Sequence, residues 1–496
     1  MNRKIVINMT GRILALTGLL MVLPLIVSLI YSEYHSAQSF GMTIIITIAV
    51  GAAIYFPSRS KGEKDRLLFT REGLMIVGIA WLAVSLIGAV PFVIDGCIPS
   101  FADAFFETAS GFSTTGATIL SGERIEAMTH GMLFWRSFTH WIGGMGVLVF
   151  IMALMPSDEK NGRSMHIMKA EMPGPIVGKL VPRVKDTAKV LYLLYIVLTL
   201  VETILLWAGD MNFFESIVHA LGTAGTGGFG TLGDSIGSFS PYTQWVITAF
   251  MVIFAINFNL YYFIVIGRIK DALSSRELWL FLLILTVAAG AMAVNIYPIY
   301  NSISESIRHA AFQTASLAST TGYGTADINA WPTFSKIIMI ALMFIGGCAG
   351  STAGGLKLSR VMLMFKSCKR NLTKTFYPRS VNVVRLDGKK VDDETTDGVG
   401  IYFTLYAIIF AIIVLLLSYE PFDFEMIFTS VLSCLNNIGP CFSTKLASPQ
   451  FADYSTLSKV ILGLAMLLGR LELYPMLFVF TPRRFEPTRT EKKTSK

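Results

Sequence analysis

The sequence predicts an all-α polytopic membrane protein. Four pseudo-repeats of helix, pore helix, filter turn and helix surround a central pore, and two extra transmembrane helices precede them. Composition is the first reason: the chain is 53% hydrophobic and 15% charged, whereas soluble domains are about 25% charged. The second is a unit that recurs four times, as FADAFFETASGFSTTGAT, NFFESIVHALGTAGTGGF, IRHAAFQTASLASTTGYG and FEMIFTSVLSCLNNIGPC. Recurrence of one unit indicates a repeat architecture.

Ten apolar stretches are long enough to cross a bilayer, which takes about 20 residues. They lie near 13–31, 40–56, 73–95, 131–155, 187–209, 243–267, 277–297, 335–356, 400–418 and 457–480. The predicted organisation is two N-terminal helices in 1–70, then four repeats in 71–185, 186–275, 276–397 and 398–496. The third repeat carries a glycine-rich loop and a basic cytoplasmic loop, and the fourth ends in a cytoplasmic tail.

Charge predicts the orientation of these spans. Most of the 41 Lys and Arg lie at the two termini and in alternate connections, above all after the second and the eighth span. Positive residues mark the cytoplasmic side. Both termini are therefore predicted to be cytoplasmic, and all four glycine turns enter the membrane from outside. The net charge of +8 is accounted for by loops next to anionic lipids, so the sequence gives no reason to expect nucleic acid as a partner.

The four turns have the properties of an ion filter. Irregular backbone at membrane depth must be buried in protein or line water, and rings of carbonyl oxygens can replace the hydration shell of a cation. The C-terminal end of the preceding short helix also favours a cation. Glycines that serve only helix packing are the alternative. Aligning one glycine from each turn gives the predicted potassium-binding residues Thr114, Thr115, Gly116, Thr226, Gly227, Thr321, Gly322, Ile438 and Gly439.

The eighth span is interrupted by small residues, which a straight helix tolerates poorly. At about 1.5 Å per residue, this interruption lies at or below mid-membrane, under the filter turns. It is predicted to be a mobile gate, and a helix-packing face is the alternative. The gate residues are Gly346, Gly347, Gly350, Ser351, Thr352, Gly354 and Gly355.

Arg470 lies inside the last span at a similar depth, where an arginine faces protein or water and is a functional candidate. We predict that it faces the carbonyl groups of the gate and stands in the cation path. A structural ion pair with a buried carboxylate is the alternative, for which Glu472 is poorly placed because residues two apart on a helix do not face each other. Arg136, Glu107 and Glu202 are expected to form structural pairs nearer the outer side.

The chain resembles the Trk-type potassium uptake proteins, the TrkH branch of the TrkH/KtrB/HKT superfamily. The matching motifs cover the whole chain: STTGA at 113–117, HWIGGMG at 140–146, TGGF at 226–229, TTGYG at 320–324, FIGGCAGST at 344–352, NNIGP at 436–440 and LLGRLEL at 467–473. The resemblance implies potassium uptake across the inner membrane through a four-glycine filter, an intramembrane gate and a constricting arginine. It also implies a homodimer and a cytosolic TrkA-type ring that binds nucleotide. Ala353 and Cys441 depart from the family pattern.

No cofactor is expected, and potassium is predicted to be the substrate. Gly225, Gly227 and Gly230 spell GxGxxG, but they follow an apolar helical stretch and not the strand of a nucleotide-binding unit. The main alternative function is a channel-like subunit of a potassium-pumping ATPase. A secondary carrier would show inverted repeats, and His140 alone does not indicate an enzyme. A channel and a proton- or sodium-coupled symporter are both compatible with the pattern.

Overall fold

The structure, a computed structural model, describes residues 3–58, 70–146, 184–379, 383–387, 389–443 and 450–480. In these residues the regular structure is helical, apart from an antiparallel pair of two-residue strands, β1 (Arg385–Leu386) and β2 (Lys389–Lys390). Within these ranges, six helical spans are long and apolar enough to cross a membrane, or seven if a pair bent by 92° is one span. The predicted class of an all-helical membrane protein is confirmed.

The helices before the second repeat form two groups. The N-terminal group consists of α1 (Arg3–Leu20), α2 (Val22–Ile30) and α3 (Tyr34–Tyr55). The first repeat consists of α4 (Thr70–Gly88), α5 (Val90–Asp95), α6 (Phe101–Phe112), α7 (Gly122–Glu126) and α8 (His130–Gly144). Because α1 and α2 are nearly continuous, they form one apolar span of 27 residues.

The other three repeats follow the same order of long helix, short helix, turn and second helix. The second consists of α9 (Val184–Trp207), α10 (Phe213–Gly225), α11 (Pro241–Ala255), α12 (Phe258–Val265) and α13 (Ile269–Leu273). The third consists of α14 (Arg276–Tyr300), α15 (Ile303–Ala318), α16 (Thr333–Ile345) and α17 (Leu358–Phe376). The fourth consists of α18 (Asp393–Leu417), α19 (Phe424–Asn436), α20 (Thr456–Arg470) and α21 (Tyr474–Phe480). Short 3₁₀ turns at Ile328–Ala330 and Phe451–Asp453 precede α16 and α20.

The short helices α6, α10, α15 and α19 begin in the same way. A polar side chain before each helix accepts a hydrogen bond from the backbone N–H three residues further on, which satisfies a donor that the first turn leaves free. These capping residues are Ser100, Asn212, Ser302 and Asp423. The caps fix where each short helix starts, and each helix then ends at its glycine turn.

The four repeats close into a circle through these short helices. Each short helix packs against the second helix of the preceding repeat: α10 against α8, α15 against α11, α19 against α16, and α6 against α20. The last of these contacts joins the fourth repeat to the first. The circle brings the C-terminal ends of the four short helices, and therefore the four turns, toward one axis.

The second helix of each repeat stops well before the end of its predicted span. α8, α11, α16 and α20 have 13 to 15 residues, which is about 20–22 Å at 1.5 Å per residue. Non-helical residues therefore interrupt the apolar stretches at 243–267 and 457–480. The stretch at 131–155 stays a prediction, because residues 147–155 lie outside the described chain. The causes are local: α11 and α12 meet at 92°, and Glu472 and Leu473 have φ of 54° and 70° after α20.

Candidate ion pathway

The four turns share one backbone geometry. Each begins with a residue in the left-handed region, with φ between 55° and 58°: Thr114, Thr226, Thr320 and Asn437. The next residue donates its backbone N–H to the carbonyl oxygen five residues earlier, over 2.9 to 3.0 Å in all four turns, as in a Schellman motif. The residue after that is a glycine with positive φ: Gly116, Gly228, Gly322 and Gly439.

This geometry corrects the predicted register of the second turn. The sequence comparison aligned Gly227 with Gly116, whereas the structure places Gly228 at that position, since both have φ of 78°. Gly227 takes the place of Thr115, because each donates to the carbonyl group five residues earlier. Thr226 therefore begins its turn, and it lies two residues before Gly228, the glycine with positive φ.

The turns contact one another in a closed ring. A Cβ atom added to Gly116 would lie 1.9 Å from the carbonyl oxygen of Gly227 in the next turn. The same relation joins Gly228 to Thr321 (2.1 Å), Gly322 to Ile438 (2.0 Å) and Gly439 to Thr115 (2.8 Å). Since real Cβ atoms essentially never approach other atoms within 3.0 Å, the ring requires a residue without a Cβ at these positions. The four carbonyl oxygens therefore face the glycines of neighbouring repeats.

Side chains behind the ring hold the turns in place. The Thr115 hydroxyl contacts Ser113 Oγ at 2.7 Å, and the Thr321 hydroxyl contacts Ser319 Oγ at the same distance. Asn437 Nδ2 donates to Thr115 Oγ1 over 3.0 Å and so joins the fourth turn to the first. These contacts occupy the hydroxyl groups of Thr115 and Thr321, whereas the buried Thr114 hydroxyl has no hydrogen-bond partner in the described residues.

The predicted gate residues form a loop of irregular backbone between α16 and α17. Gly346, Gly350 and Gly355 have φ of 69°, 72° and 75°, which ends the helix and turns the chain. The carbonyl group of Gly347 accepts a hydrogen bond from the backbone N–H of Leu358 over 3.0 Å, which brings the two ends of the loop together. Ser351 Oγ donates within the loop to the carbonyl oxygen of Cys348 over 2.7 Å.

This loop contacts the filter turns directly. The Gly354 N–H donates to Thr320 Oγ1 over 2.6 Å, in the third turn. The Gly355 N–H donates to the carbonyl oxygen of Asn436 over 2.9 Å, at the end of α19. Thr352 Oγ1 donates to the carbonyl oxygen of Phe254 over 3.1 Å, at the break between α11 and α12. The loop therefore bridges the second, third and fourth repeats next to the ring.

Arg470 is the last residue of α20 and contacts the same loop. Its Nη1 donates to the carbonyl oxygen of Thr352 over 2.8 Å, and its Nη2 donates to the carbonyl oxygens of Gly143 and Gly144, both over 2.6 Å. The guanidinium group thus joins the loop, the end of α8 and the end of α20. Glu472 forms a short contact with Arg360.

Comparison with known proteins identifies the family. A family model described as a cation transport protein, TrkH, matches residues 36–485. The chain belongs to the TrkH family. It is 35% identical over 489 residues to the "Trk system potassium uptake protein TrkH" of Salmonella typhimurium (strain LT2), which covers 97% of this chain and 99% of the relative. It is 33% identical to "Trk system potassium uptake protein TrkG" of Escherichia coli (strain K12), with 96% of this chain and 98% of that protein covered.

A solved structure of the family has the same fold. The crystal structure of the potassium transporter TrkH from Vibrio parahaemolyticus matches with a TM-score of 0.87 and 30% identity, over 98% of this chain and 100% of that chain. The resemblance to the TrkH branch that the motifs indicated is confirmed.

Of the three buried charged residues that were expected to form structural pairs, two form an ion pair in the described structure. Glu107 and Arg136 are buried, and Arg136 Nη2 lies 2.8 Å from Glu107 Oε1. Thr118 Oγ1 and the Ile119 N–H also donate to this carboxylate, over 2.9 and 3.1 Å. The expected ion pair of Glu202 was wrong for the part of the chain that the structure describes: its buried carboxyl group has no charged partner there, and the Thr223 hydroxyl is the polar group beside it.

One residue that holds the loop at 346–355 was not predicted from the sequence. Glu277 is buried in the first turn of α14, and its Oε1 accepts a hydrogen bond from the Ala349 N–H over 2.9 Å. Its position at the start of a long apolar helix resembles an ordinary N-terminal acidic residue, so the sequence held no signal for this contact. The carbonyl groups of Gly143 and Gly144 were missed for a related reason, because only the fold brings the end of α8 near Arg470.

Proposed function

We propose that this chain conducts potassium through the ring of carbonyl groups formed by its four turns. The observation that carries the proposal is the closed ring: each glycine with positive φ, from Gly116 to Gly439, lies against a carbonyl oxygen of the next turn. Carbonyl rings replace the hydration shell of a potassium ion, and four helix C-terminal ends add negative potential at the same place. The names of the curated relatives, which are potassium uptake proteins, support the same substrate.

The loop at 346–355 and Arg470 are proposed to be the gate. The loop adjoins the ring through Gly354 and Gly355, and the guanidinium group donates to the loop at Thr352. A positive charge near the path opposes a cation, and its hydrogen bonds hold the loop across the path. In this proposal the turns determine which ion is preferred, and the loop determines whether the ion can pass.

The surroundings of the proposed pore follow from charge and family. Basic inner connections support a location in the cell membrane with both termini cytoplasmic. The word "system" in the relatives' names supports a separate regulatory partner, which we propose to be a cytosolic nucleotide-binding ring of the TrkA type, acting on a homodimer. The four repeats are proposed to span 71–185, 186–275, 276–397 and 398–496. The family match does not favour the ATPase-subunit alternative, because the family is one of TrkH cation transport proteins.

Flux into proteoliposomes tests the proposal. The purified chain is reconstituted, the membrane voltage is set with a proton ionophore, and uptake of potassium, rubidium and sodium is measured. We expect uptake of potassium and rubidium that follows the voltage and exceeds sodium uptake. Equal uptake of all three ions, or uptake no greater than in liposomes without protein, would contradict a potassium-selective pathway. Repeating the measurement without the proton ionophore, with the voltage set by the gradient of a permeant lipophilic anion and with several proton and sodium gradients, separates a channel from a coupled symporter.

A further inference from the structure

The N-terminal helices enclose a groove that is distant in sequence from the filter and the gate. Between α1 and α3 lies a cavity of about 530 Å³, open to the outside of the protein. Its apolar walls are formed by Ala15, Leu16, Leu19, Ile48, Ala52 and Phe56. Leu19, Ile48 and Phe56 are 58%, 43% and 66% exposed, so their side chains face the surroundings of the protein and not its core. Cavities of roughly 300–1,000 Å³ are the size that binds small molecules.

A positive charge lies at one end of this groove. The guanidinium carbon of Arg12 lies 5.2 Å from the ring centroid of Tyr55, where a cation–π contact orients it. In the described part of the chain, no carboxylate lies within 4.0 Å of Arg12, the limit for an ion pair. Lys4, which is also exposed, lies on the same face of α1 because the two residues are eight apart. The groove therefore combines an apolar wall with a positive charge that no carboxylate within the described ranges pairs with.

Its depth fits the inner edge of the membrane. Arg12 directly precedes the apolar stretch of α1 and faces Tyr55, the last residue of α3. Tyrosines are enriched where the bilayer meets water, and arginine places its charged group at the same level while its stem lies against apolar surface. In the proposed orientation, this end of α1 and α3 faces the cytoplasmic leaflet, which carries the anionic lipids.

We propose that this groove binds one anionic phospholipid of the inner leaflet. The phosphate group accepts hydrogen bonds from Arg12, whose planar fork matches phosphate geometry, and one acyl chain lies along Ala15, Ile48 and Ala52. Lys4 adds a second positive charge, which favours a lipid with net negative charge over a zwitterionic one. A second copy of the chain, related by twofold symmetry, would bring its own Arg12 to the same surface, so charge favours the lipid as the occupant.

The test measures lipid binding to the full-length protein in neutral detergent by native mass spectrometry, with phosphatidylglycerol and phosphatidylcholine as probes. We expect phosphatidylglycerol to bind more tightly, and Arg12→Gln to weaken it by roughly fivefold, since one such charge contributes about 1 kcal/mol near a membrane surface. Arg276→Gln, at an exposed arginine at the start of α14, is the matched control and should retain full binding. Ala52→Leu fills the groove without changing charge and should weaken binding as well.

Three outcomes would overturn the site. One is equal binding of the two lipids, and another is an equal loss in Arg12→Gln and Arg276→Gln, which would mean general surface charge. The third is an Ala52→Leu protein that changes from dimer to monomer while its lipid binding stays intact, which would make the groove a contact between copies. If Arg12→Gln does not fold, Arg12→Lys keeps the charge but loses the planar fork, and unchanged phosphatidylglycerol binding in that variant contradicts a phosphate held by the guanidinium group. Because binding is measured without transport, failure here leaves the potassium pathway untouched.

Discussion

Replacing Gly116 with serine tests the carbonyl ring at its tightest contact. The glycine has φ of 78°, and a Cβ atom at this position would lie 1.9 Å from the carbonyl oxygen of Gly227. Contacts of real Cβ atoms begin at about 3.0 Å, so the neighbouring turn must move by roughly 1 Å to accept the serine. The atom that moves is a backbone oxygen of the ring, and no flexible side chain can absorb the change.

The size of the effect follows from that displacement. The left-handed conformation costs a residue with a Cβ roughly 1–2 kcal/mol. A hydrogen bond to a charged group contributes about 1.5–3 kcal/mol net, and we take a carbonyl contact with a potassium ion to be of similar size. Losing about half of one such contact, about 0.75–1.5 kcal/mol, corresponds to roughly a three- to tenfold change in affinity. We therefore expect Gly116→Ser to lower the preference for potassium over sodium by about three- to tenfold.

Gly96→Ser separates backbone strain from displacement of the carbonyl group. Gly96 has φ of 82°, close to that of Gly116, but no atom lies within 4 Å of its added Cβ. Both variants are purified, reconstituted and compared with the parent for potassium, rubidium and sodium uptake at fixed voltage. We expect only Gly116→Ser to lose selectivity. A folded Gly116→Ser protein with the parent's selectivity, or an equal loss in Gly96→Ser, would refute the assignment of this carbonyl ring as the filter.

Three further predictions concern the gate and the buried charges. Deleting part of Gly346–Gly355 should raise basal flux without changing ion preference, and a folded deletion protein that conducts no faster would mean that these glycines only pack helices. Arg470→Ala should raise cation flux and make it less dependent on the regulatory partner; poor yield with Ala, good yield with Arg470→Lys and unchanged flux per molecule would instead indicate a structural role. Glu107→Gln should lower thermal stability by about 3–5 kcal/mol, because it leaves the buried charge of Arg136 unpaired, whereas Glu202→Gln should cost much less; equal melting temperatures for the two variants would contradict this reasoning.

The sequence was sufficient to find the four turns but not to align all of them. STTG and TTG contain one glycine each, so the alignment selected Gly116 and Gly322, the glycines that have positive φ in these turns. The second turn reads TGG, and both Gly227 and Gly228 satisfy a pattern that requires only a glycine near a threonine. The choice depends on φ and on contacts between repeats, which no single-chain pattern encodes.

The breaks in the second helices were predicted only where glycines interrupt the apolar run. Gly346 follows α16 in such a run, so its break was expected. The ends of α11 and α20 have no comparable signal: Asn257 caps the next helix through its side chain, and Glu472 adopts φ of 54° in a polar interruption of only two residues. Averages of hydropathy over about 20 residues include such short breaks and report a continuous span.

Buried charges show a limit of reasoning by pairing. The expectation for Glu107 was met because Arg136 lies in α8, the helix that packs against α6 and brings the two side chains together. Glu202 was given a charged partner by the same rule, that buried charges are paired, yet within the described residues only the neutral Thr223 hydroxyl lies beside its carboxyl group. The rule states that an unpaired buried charge is costly, but it does not say which residue is the partner. It therefore cannot identify a buried carboxyl group that has no charged partner.

The bonds that hold the loop determine what a regulatory partner must do. Two residues separate α11 from α12 in the second repeat, and three separate α20 from α21 in the fourth. In the third repeat, twelve irregular residues separate α16 from α17. The N–H groups of Cys348, Ala349, Gly354 and Gly355, together with the carbonyl oxygen of Thr352, bond to elements outside the loop.

At about 1 kcal/mol for each bond, freeing the loop costs several kcal/mol unless new bonds replace these. A partner that bound the closed and open loop equally would shift nothing, however tightly it bound. The cytosolic partner we propose must therefore bind the open form more tightly by an amount comparable to these bonds. Removing one bond, as in Arg470→Ala, lowers that requirement, which is why its flux should depend less on the partner.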